Sequence, residues 1–291
     1  MNRKTHIDMF GVVALIAIAL NFGLNQIVIK FSNGGFQPLF MACLRSAGAG
    51  IVLLIWMRIN KIPFFLPRSS LIFGALAGVF FALEFSLLFT ALDLTTVSRS
   101  SIIFYSMPVW LALILHFAVP DEKLSVLRFI GLLLAMLGVF IALFDRQDEQ
   151  GNLLGDILSL FAALCWAAIA LLVRITPLSK ISAEQQLLCQ LVVSAPILLI
   201  MSLGYGTLLR DVEFIHVIGL AYQIFAIASF GFLSWFWLMK RYPVSLVASF
   251  SFLSPVFAVL LGWIILDEQI EVTIWLALGL VAAGLYLINR R

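Results

Sequence analysis

Long apolar stretches recur along the whole chain and limit what it can fold into. A helix needs about 20 mostly apolar residues to cross the hydrocarbon core of a bilayer. This window predicts ten spanning helices, at about residues 8–30, 37–57, 69–92, 96–118, 124–144, 153–173, 183–205, 213–239, 243–266 and 271–289. The connections are short and contain the turn residues and most of the charges. We therefore predict an all-α integral membrane protein with no separate soluble domain.

Composition excludes a water-soluble fold. Of the 291 residues, 63% are hydrophobic and 11% are charged, whereas soluble domains contain about 25% charged residues. Such a chain cannot cover its surface with polar groups, so lipid must be its solvent. The net charge of +3 is too small to indicate a nucleic-acid partner. The predicted partner at this level is the lipid bilayer, and the predicted location is the cell (cytoplasmic or inner) membrane, as a multi-pass protein.

The distribution of Lys and Arg orients the predicted helices, because cytoplasmic loops contain the excess of these residues. With the N-terminus inside, thirteen of the eighteen lie on the inner side and Arg45 lies within a span. The four on the outer side are Lys30, Arg99, Arg146 and Arg210. The first apolar run, 10–29, contains three polar amides and has no clear small-residue cleavage site after it, so we interpret it as a retained span. Ten spans then place both termini in the cytoplasm.

Two halves of the chain repeat each other. The segment 95–125 aligns with 242–271, and 10–30 aligns with 154–174. The matched dipeptides are Val97-Ser98 with Val244-Ser245, Pro108-Val109 with Pro255-Val256, and Asp121-Glu122 with Asp267-Glu268. Because each unit has five helices, an odd number, the second unit must enter the membrane from the opposite side. We predict two inverted five-helix repeats, residues 1–146 and 147–291. This arrangement is typical of secondary transporters, whose substrate site lies near the membrane midplane.

The same segments resemble a known family. "LNFGLNQIVIK" (20–30), "LRSAGAG" (44–50), "LLFTALDLTTVS" (87–98) and "PDEKLS" (120–125) are similar to recurring patterns of EamA-type members of the drug/metabolite transporter superfamily. The resemblance covers essentially the whole chain, although 120–125 departs from the more usual Gly-Glu-Arg and keeps only the acidic Glu122. It implies a ten-helix exporter or exchanger of small metabolites with a central cavity lined mainly by helices 1, 3, 4, 6, 8 and 9. It does not fix the substrate.

Two ionisable residues lie well inside predicted spans, Arg45 in the second and Glu84 in the third. Charged groups at this depth are costly and are functional candidates by default. Two interpretations stay open. The two residues form a buried pair that tethers two helices, or Glu84 takes a coupling proton or contacts a substrate amine.

Further candidates for a substrate site are polar or aromatic residues in apolar runs. Asn21 and Asn25 are spaced i, i+4 and share one helix face, where they either join helices or face a cavity. Ser101 and Tyr105 belong to a stripe of small and polar residues on the fourth span. The predicted aromatic wall of the cavity adds Trp166, Trp235 and Phe252.

Pro108 and Pro255 occupy matched positions in the fourth and ninth spans. Proline in a helix interior costs about 3 kcal/mol because it removes a donor and clashes one turn back. We predict a break at each proline, which serves either as a hinge for gating or as a static kink.

No motif for a zinc hydrolase, a serine hydrolase or a nucleotide-binding loop occurs in the sequence. We therefore expect no cofactor, no metal and no enzymatic activity. The predicted function is a secondary transporter that exports or exchanges a small organic metabolite, such as an amino acid or a drug-like solute, by alternating access. Protons are a candidate coupling ion. The alternatives are an intramembrane enzyme acting on a lipid-linked substrate, and a channel.

Overall fold

The computed structural model describes residues 8–118, 124–144, 151–242, 247 and 250–289. Over these ranges the chain is helical, and the β-structure consists of one isolated bridge between Phe36 and Leu209. The N-terminal residues 1–7, the Asp121-Glu122 pair and the Val244-Ser245 dipeptide lie outside the described residues. The prediction of an all-helical protein is confirmed over the described part of the chain.

The described helices follow the predicted spans closely. They are α1 (Met9–Ser32), α2 (Pro38–Ile59), α3 (Arg68–Leu94), α4 (Val97–Phe104), α5 (Met107–Ala118), α6 (Val126–Phe144), α7 (Leu153–Ile175), α8 (Ala183–Leu203), α9 (Phe214–Tyr222), a π-helix (Gln223–Gly231), α10 (Phe232–Arg241), α11 (Leu253–Leu266) and α12 (Val272–Asn289).

Eight helical segments in the described ranges are long and apolar enough to cross a membrane. Two shorter apolar helical segments, Phe250–Leu266 and Val272–Ile288, follow them. Large apolar side chains such as Ile72, Phe129 and Phe230 are exposed on the outside of the bundle, which is where lipid is expected to solvate them. The chain is a multi-pass membrane protein.

Helix packing follows a pairwise pattern between the N-terminal and C-terminal halves. Helix α2 packs on α8, and α6 packs on α12. Helix α3 packs on α7, as α1 packs on α9, the π-helix and α10. Helix α1 packs on α11, as α7 packs on α4 and α5. In the predicted repeat, the counterparts are α1 and α7, α2 and α8, α3 and the segment from α9 to α10, α4–α5 and α11, and α6 and α12. Replacing each helix by its counterpart leaves these packing neighbours unchanged.

The fourth span is broken near its proline. Helix α4 ends at Phe104 and α5 begins at Met107, and the Val109 N–H donates to the Ser106 carbonyl at 2.8 Å. Pro108 therefore lies in the first turn of a new helix, where a missing N–H has no cost. Pro255 is the third residue of α11, which directly follows a 3₁₀ turn, Phe250–Phe252. The break expected at Pro108 is present, whereas before Pro255 the described helix changes from 3₁₀ to α geometry without interruption.

The span predicted at 213–239 is not one α-helix. Nine residues in its middle, Gln223–Gly231, form a π-helix, and the Ser229 hydroxyl donates to the Ile224 carbonyl at 2.8 Å. The π-helix is rare, appears mostly as a single-turn bulge within an α-helix, and is frequently found at functional sites. The apolar pattern of this span is compatible with an ordinary helix, so the sequence gives no signal for the wider turn.

Close helix contact between α6 and α12 depends on glycine. A Cβ atom on Gly284 would lie 2.5 Å from the Gly131 carbonyl oxygen, and one on Gly131 would lie 2.8 Å from the Gly284 carbonyl oxygen. Both atoms belong to backbone, which cannot move aside as a flexible side chain can. Glycine at these positions lets the two backbones approach, as is common between membrane helices.

We expect Gly284→Val to destabilise the protein by about 1–3 kcal/mol or more, because the added methyl groups overpack this contact. Gly279→Val is the matched control on the same helix, since nothing lies within 4 Å of a Cβ atom placed there. Thermal unfolding in detergent measures both variants. Equal melting temperatures would contradict the packing role of Gly284.

Candidate functional site

Tyr105 lies at the break between α4 and α5 and joins an aromatic cluster. Its hydroxyl donates to the Phe22 carbonyl at 3.2 Å. The Phe104 and Trp166 rings stack with centroids 5.0 Å apart, and the Tyr105 ring meets Trp166 edge-on at 6.2 Å. The structure thus brings the predicted residues Tyr105 and Trp166 together from opposite halves of the chain.

Asn21 connects α1 to the π-helix. Its side-chain amide donates to the Ala226 carbonyl at 2.9 Å, and its oxygen accepts from the Tyr222 hydroxyl. Both polar ends of this side chain are therefore engaged in holding two helices together. Its predicted contact with substrate stays a prediction.

Several buried polar atoms close to this junction have no hydrogen-bond partner among the described residues. The Ser101 hydroxyl and the Asn25 carbonyl oxygen belong to residues predicted from the sequence. Three others belong to Gln26 and Gln223, which the sequence did not indicate as site residues. The sequence signal that could have found both is an amide side chain within an otherwise apolar span.

Arg45 and Glu84 are both buried, with 3% and 4% of their surface exposed. They are close enough to interact electrostatically, but the described contacts include no ion pair within 4 Å between them. The Arg45 guanidinium instead lies over the Phe85 ring, 4.1 Å from its centroid. The direct tether that one interpretation expected is therefore absent from the described contacts.

The two remaining aromatic candidates lie apart from Tyr105. The Trp235 ring is 6.3 Å from the Phe22 ring, on the side of α1 that faces α10. The Phe252 ring lies 6.5 Å from Tyr286, in the apolar cluster between α6 and α12. The repeat matches Phe252 with Tyr105, but the two rings lie in different clusters of the described structure.

Charged residues connect neighbouring helices at the end of the bundle where α1, α3 and α8 terminate. We call it the outer end, following the predicted orientation. Arg99 and Asp156 form an ion pair at 2.7 Å, and their side chains are 1% and 0% exposed. Arg210 binds Asp93 through two hydrogen bonds of 2.9 Å and donates to the Asn33 carbonyl at 2.8 Å. These hydrogen bonds raise the pKa of the Arg210 guanidinium above its ordinary value.

Glu268 adds further contacts between helices at the outer end. Its carboxylate accepts from the Val97 and Ser98 N–H groups at 2.6 and 3.0 Å and from the Ser98 hydroxyl at 2.6 Å. An acidic group at this position complements the positive N-terminus of α4. Lys30 donates to the Thr95 carbonyl at 2.6 Å and interacts electrostatically with Glu268.

Each of these charge pairs joins one half of the chain to the other. Lys30, Asp93 and Arg99 belong to the first half, and their partners Glu268, Arg210 and Asp156 belong to the second. The sequence predicted Lys30, Arg99 and Arg210 only as outer-side basic residues and did not predict their pairing. Over the described residues, no cluster of three or more His, Cys, Asp or Glu side chains could hold a metal ion.

Comparison with known proteins gives one family. The model of the EamA-like transporter family matches residues 9–144 and again 153–290. The chain is 23% identical to an uncharacterized transporter, YoaV, of Bacillus subtilis, over 94% of this chain and 95% of the relative. It is 26% identical to a probable amino-acid metabolite efflux pump of Escherichia coli K12, over 99% of this chain and 95% of the relative.

Two further similarities concern location and fold. An uncharacterized inner membrane transporter of Escherichia coli K12, YedA, is 26% identical over 99% of this chain and 93% of the relative. One solved crystal structure has a TM-score of 0.68 and 18% identity, and the match covers 96% of each chain. At this identity the structural likeness shows the fold alone.

The two outer ion pairs differ in burial, and we expect their loss to differ in cost. Asp156→Asn should destabilise the protein by about 3–5 kcal/mol, because it removes the carboxylate of a buried ion pair. Asp93→Asn should cost about 0.2–1 kcal/mol, since Arg210 and Asp93 are 36% and 24% exposed. Chemical unfolding in detergent measures both. A larger loss for Asp93→Asn would contradict this ranking.

Proposed function

The chain belongs to the EamA-like transporter family, and on this premise we propose that it is a secondary transporter that exports or exchanges a small organic metabolite by alternating access. Membrane transport is common to the named relatives. The substrate, the coupling and the mechanism are our proposal.

The observation that carries alternating access is the set of charge pairs that join the halves at the outer end, and we infer that they close it. Arg99–Asp156 and Arg210–Asp93 each connect one half to the other through polar contacts. Contacts of this type can separate into water without exposing a large apolar surface, because charged groups are well solvated there. A pore that stays open needs no such closure, so the observation favours a carrier over a channel.

The proposed architecture is ten helices in two inverted repeats, 1–146 and 147–291, with both termini in the cytoplasm. Two observations support it. The family model matches once in each half of the chain, and the helix neighbours stay the same when the halves are exchanged. We further propose that the break before Pro108 and the 3₁₀ turn before Pro255 act as hinges, since both lie in counterpart helices of the predicted repeat.

The proposed substrate is an amino acid or a related metabolite. One relative is named a probable amino-acid metabolite efflux pump. Here, the region around Tyr105 combines aromatic rings with unpartnered polar atoms, which suits a small solute with both apolar and polar parts. An enzymatic function would need convergent catalytic groups, and Glu84 has no second acid beside it among the described contacts.

Cysteine labelling tests the proposed orientation of the chain in the membrane. In a chain whose native Cys43, Cys165 and Cys189 are replaced by Ala, Thr207→Cys should react with an impermeant maleimide in intact cells. Lys61→Cys should react only after permeabilisation. Labelling of Lys61→Cys in intact cells would refute the proposed topology.

The same background tests the outer closure through Ser101→Cys, at a buried position of α4. Adding Asp93→Asn should raise its labelling from outside by up to roughly fivefold, the population shift that the loss of about 0.2–1 kcal/mol allows. Arg58→Gln, at the other end of the bundle, is the control and should leave labelling unchanged. Unaltered labelling in Asp93→Asn would contradict the inference that charge pairs close the outer end, on which alternating access rests.

Glu84 is the proposed proton-coupling residue. We expect Glu84→Gln to fold and to keep counterflow of a labelled amino acid in proteoliposomes, while uptake driven by a pH gradient is lost, because the amide cannot bind the coupling proton. Glu213→Gln, which changes an exposed acid at the start of α9, should keep both activities. Normal pH-driven uptake by well-folded Glu84→Gln would exclude this role.

A further inference from the structure

Gln223 is buried at 0% exposure at the start of the π-helix. Neither its side-chain oxygen nor its nitrogen has a hydrogen-bond partner among the described residues. Burying an amide without a partner costs a folded protein stability. In a membrane protein such a group is expected to hydrogen-bond either a bound ligand or a neighbouring helix. The described contacts include no hydrogen bond from the Gln223 side chain to a neighbouring helix.

The helix register brings Asn25 to the level of Gln223. Asn21 on α1 contacts Ala226 and Tyr222, while a Cβ atom on Gly219 would touch Ser32. Residues nearer the C-terminus of α1 thus contact residues nearer the N-terminus of the segment formed by α9 and the π-helix. Helix α1 and this segment therefore run antiparallel. Asn25 lies one turn beyond Asn21 on the same face. Its oxygen is unpartnered and its residue is 7% exposed.

Gln26 extends this group toward the aromatic cluster. It is 1% exposed and its side-chain oxygen has no partner in the described structure. Its side chain lies beside the Tyr105 hydroxyl, as does Ser254. Gln26 therefore lies next to Tyr105, whose ring contacts Trp166, while Asn25 is the neighbour of Gln26 on α1 and Gln223 lies on the π-helix that packs on α1.

We propose that Asn25, Gln26 and Gln223 form a carboxamide site that binds the polar end of the transported solute and selects a zwitterion over a cation or an anion. This inference rests on the proposed function. A carboxamide accepts from an ammonium group and donates to a carboxylate without a net charge of its own. Arg45 and Glu84, which are both buried and interact electrostatically, have opposite charges that offset each other. A solute with a net charge would remain uncompensated at this depth.

The alternative is that these amides only join helices. The two roles predict opposite effects of substitution on the stability of the protein. Removing a partnered amide costs stability, whereas replacing an unpartnered buried amide by an apolar group of similar shape is neutral or stabilising. Gln223→Leu and Asn25→Leu should therefore keep or raise the melting temperature while weakening solute binding.

The experiment measures counterflow in proteoliposomes with three probes of one skeleton: leucine, a zwitterion; leucinamide, a cation; and N-acetylleucine, an anion. Wild-type protein should exchange leucine in preference to the other two. Gln223→Leu and Asn25→Leu should each raise the KM for leucine by roughly tenfold, as for a lost hydrogen bond to a charged group. Gln185→Leu is the matched control: this amide donates to the Phe65 carbonyl at 3.0 Å and accepts from Ser182 N–H at 3.2 Å. It should lower the melting temperature and leave the KM unchanged.

The outcomes separate this inference from the proposed function. An unaltered KM for leucine in both Leu variants overturns the carboxamide site alone, whether or not their melting temperatures fall. Preference for leucinamide or N-acetylleucine overturns the selection of a zwitterion. Exchange of none of the three probes by wild-type protein contradicts the proposed substrate class and the carboxamide site with it.

Discussion

The absence of water in the hydrocarbon core is the constraint on which the rest of this structure depends. Every backbone N–H and C=O group at that depth needs a partner within the protein, so the spans are helical. The helices depart from α geometry near Tyr105, at Phe250–Phe252 and at Gln223–Gly231. At the π-helix, the Asn21 amide donates to the Ala226 carbonyl. Irregular backbone is thus supported by a side chain from a neighbouring helix, close to where the site candidates lie.

The same constraint explains the charges at the outer end. Uncompensated charge is costly away from water, and Arg99 and Asp156 are almost fully buried. They neutralise each other, and Asp156 also accepts from the Thr95 hydroxyl at 2.9 Å. Pairing accounts for why basic residues occur on a side from which the orientation rule predicts them to be depleted. In the proposed mechanism, the contacts that neutralise these charges are also the ones that open.

The polar residues of the candidate site differ in how many hydrogen bonds their side chains make. Asn21 is bonded at both ends of its amide, whereas Gln223 is bonded at neither. The first arrangement holds α1 against the π-helix, and the second leaves hydrogen-bonding capacity for another molecule. Polar residues within spans therefore cannot be assigned to structure or to binding by type alone; their partners decide.

The sequence by itself determined the membrane class, the approximate span positions and the family, because each depends on local properties: apolar length, charge distribution and motif residues. It also predicted the break at Pro108, since proline acts on its own helix. Only the tertiary structure decided the π-helix, the stacking of Arg45 on Phe85, the separation of Phe252 from Tyr105, and the pairing of Lys30, Arg99 and Arg210. These features depend on contacts between helices far apart in the chain, and a pattern within one helix does not specify which neighbour its side chains will contact.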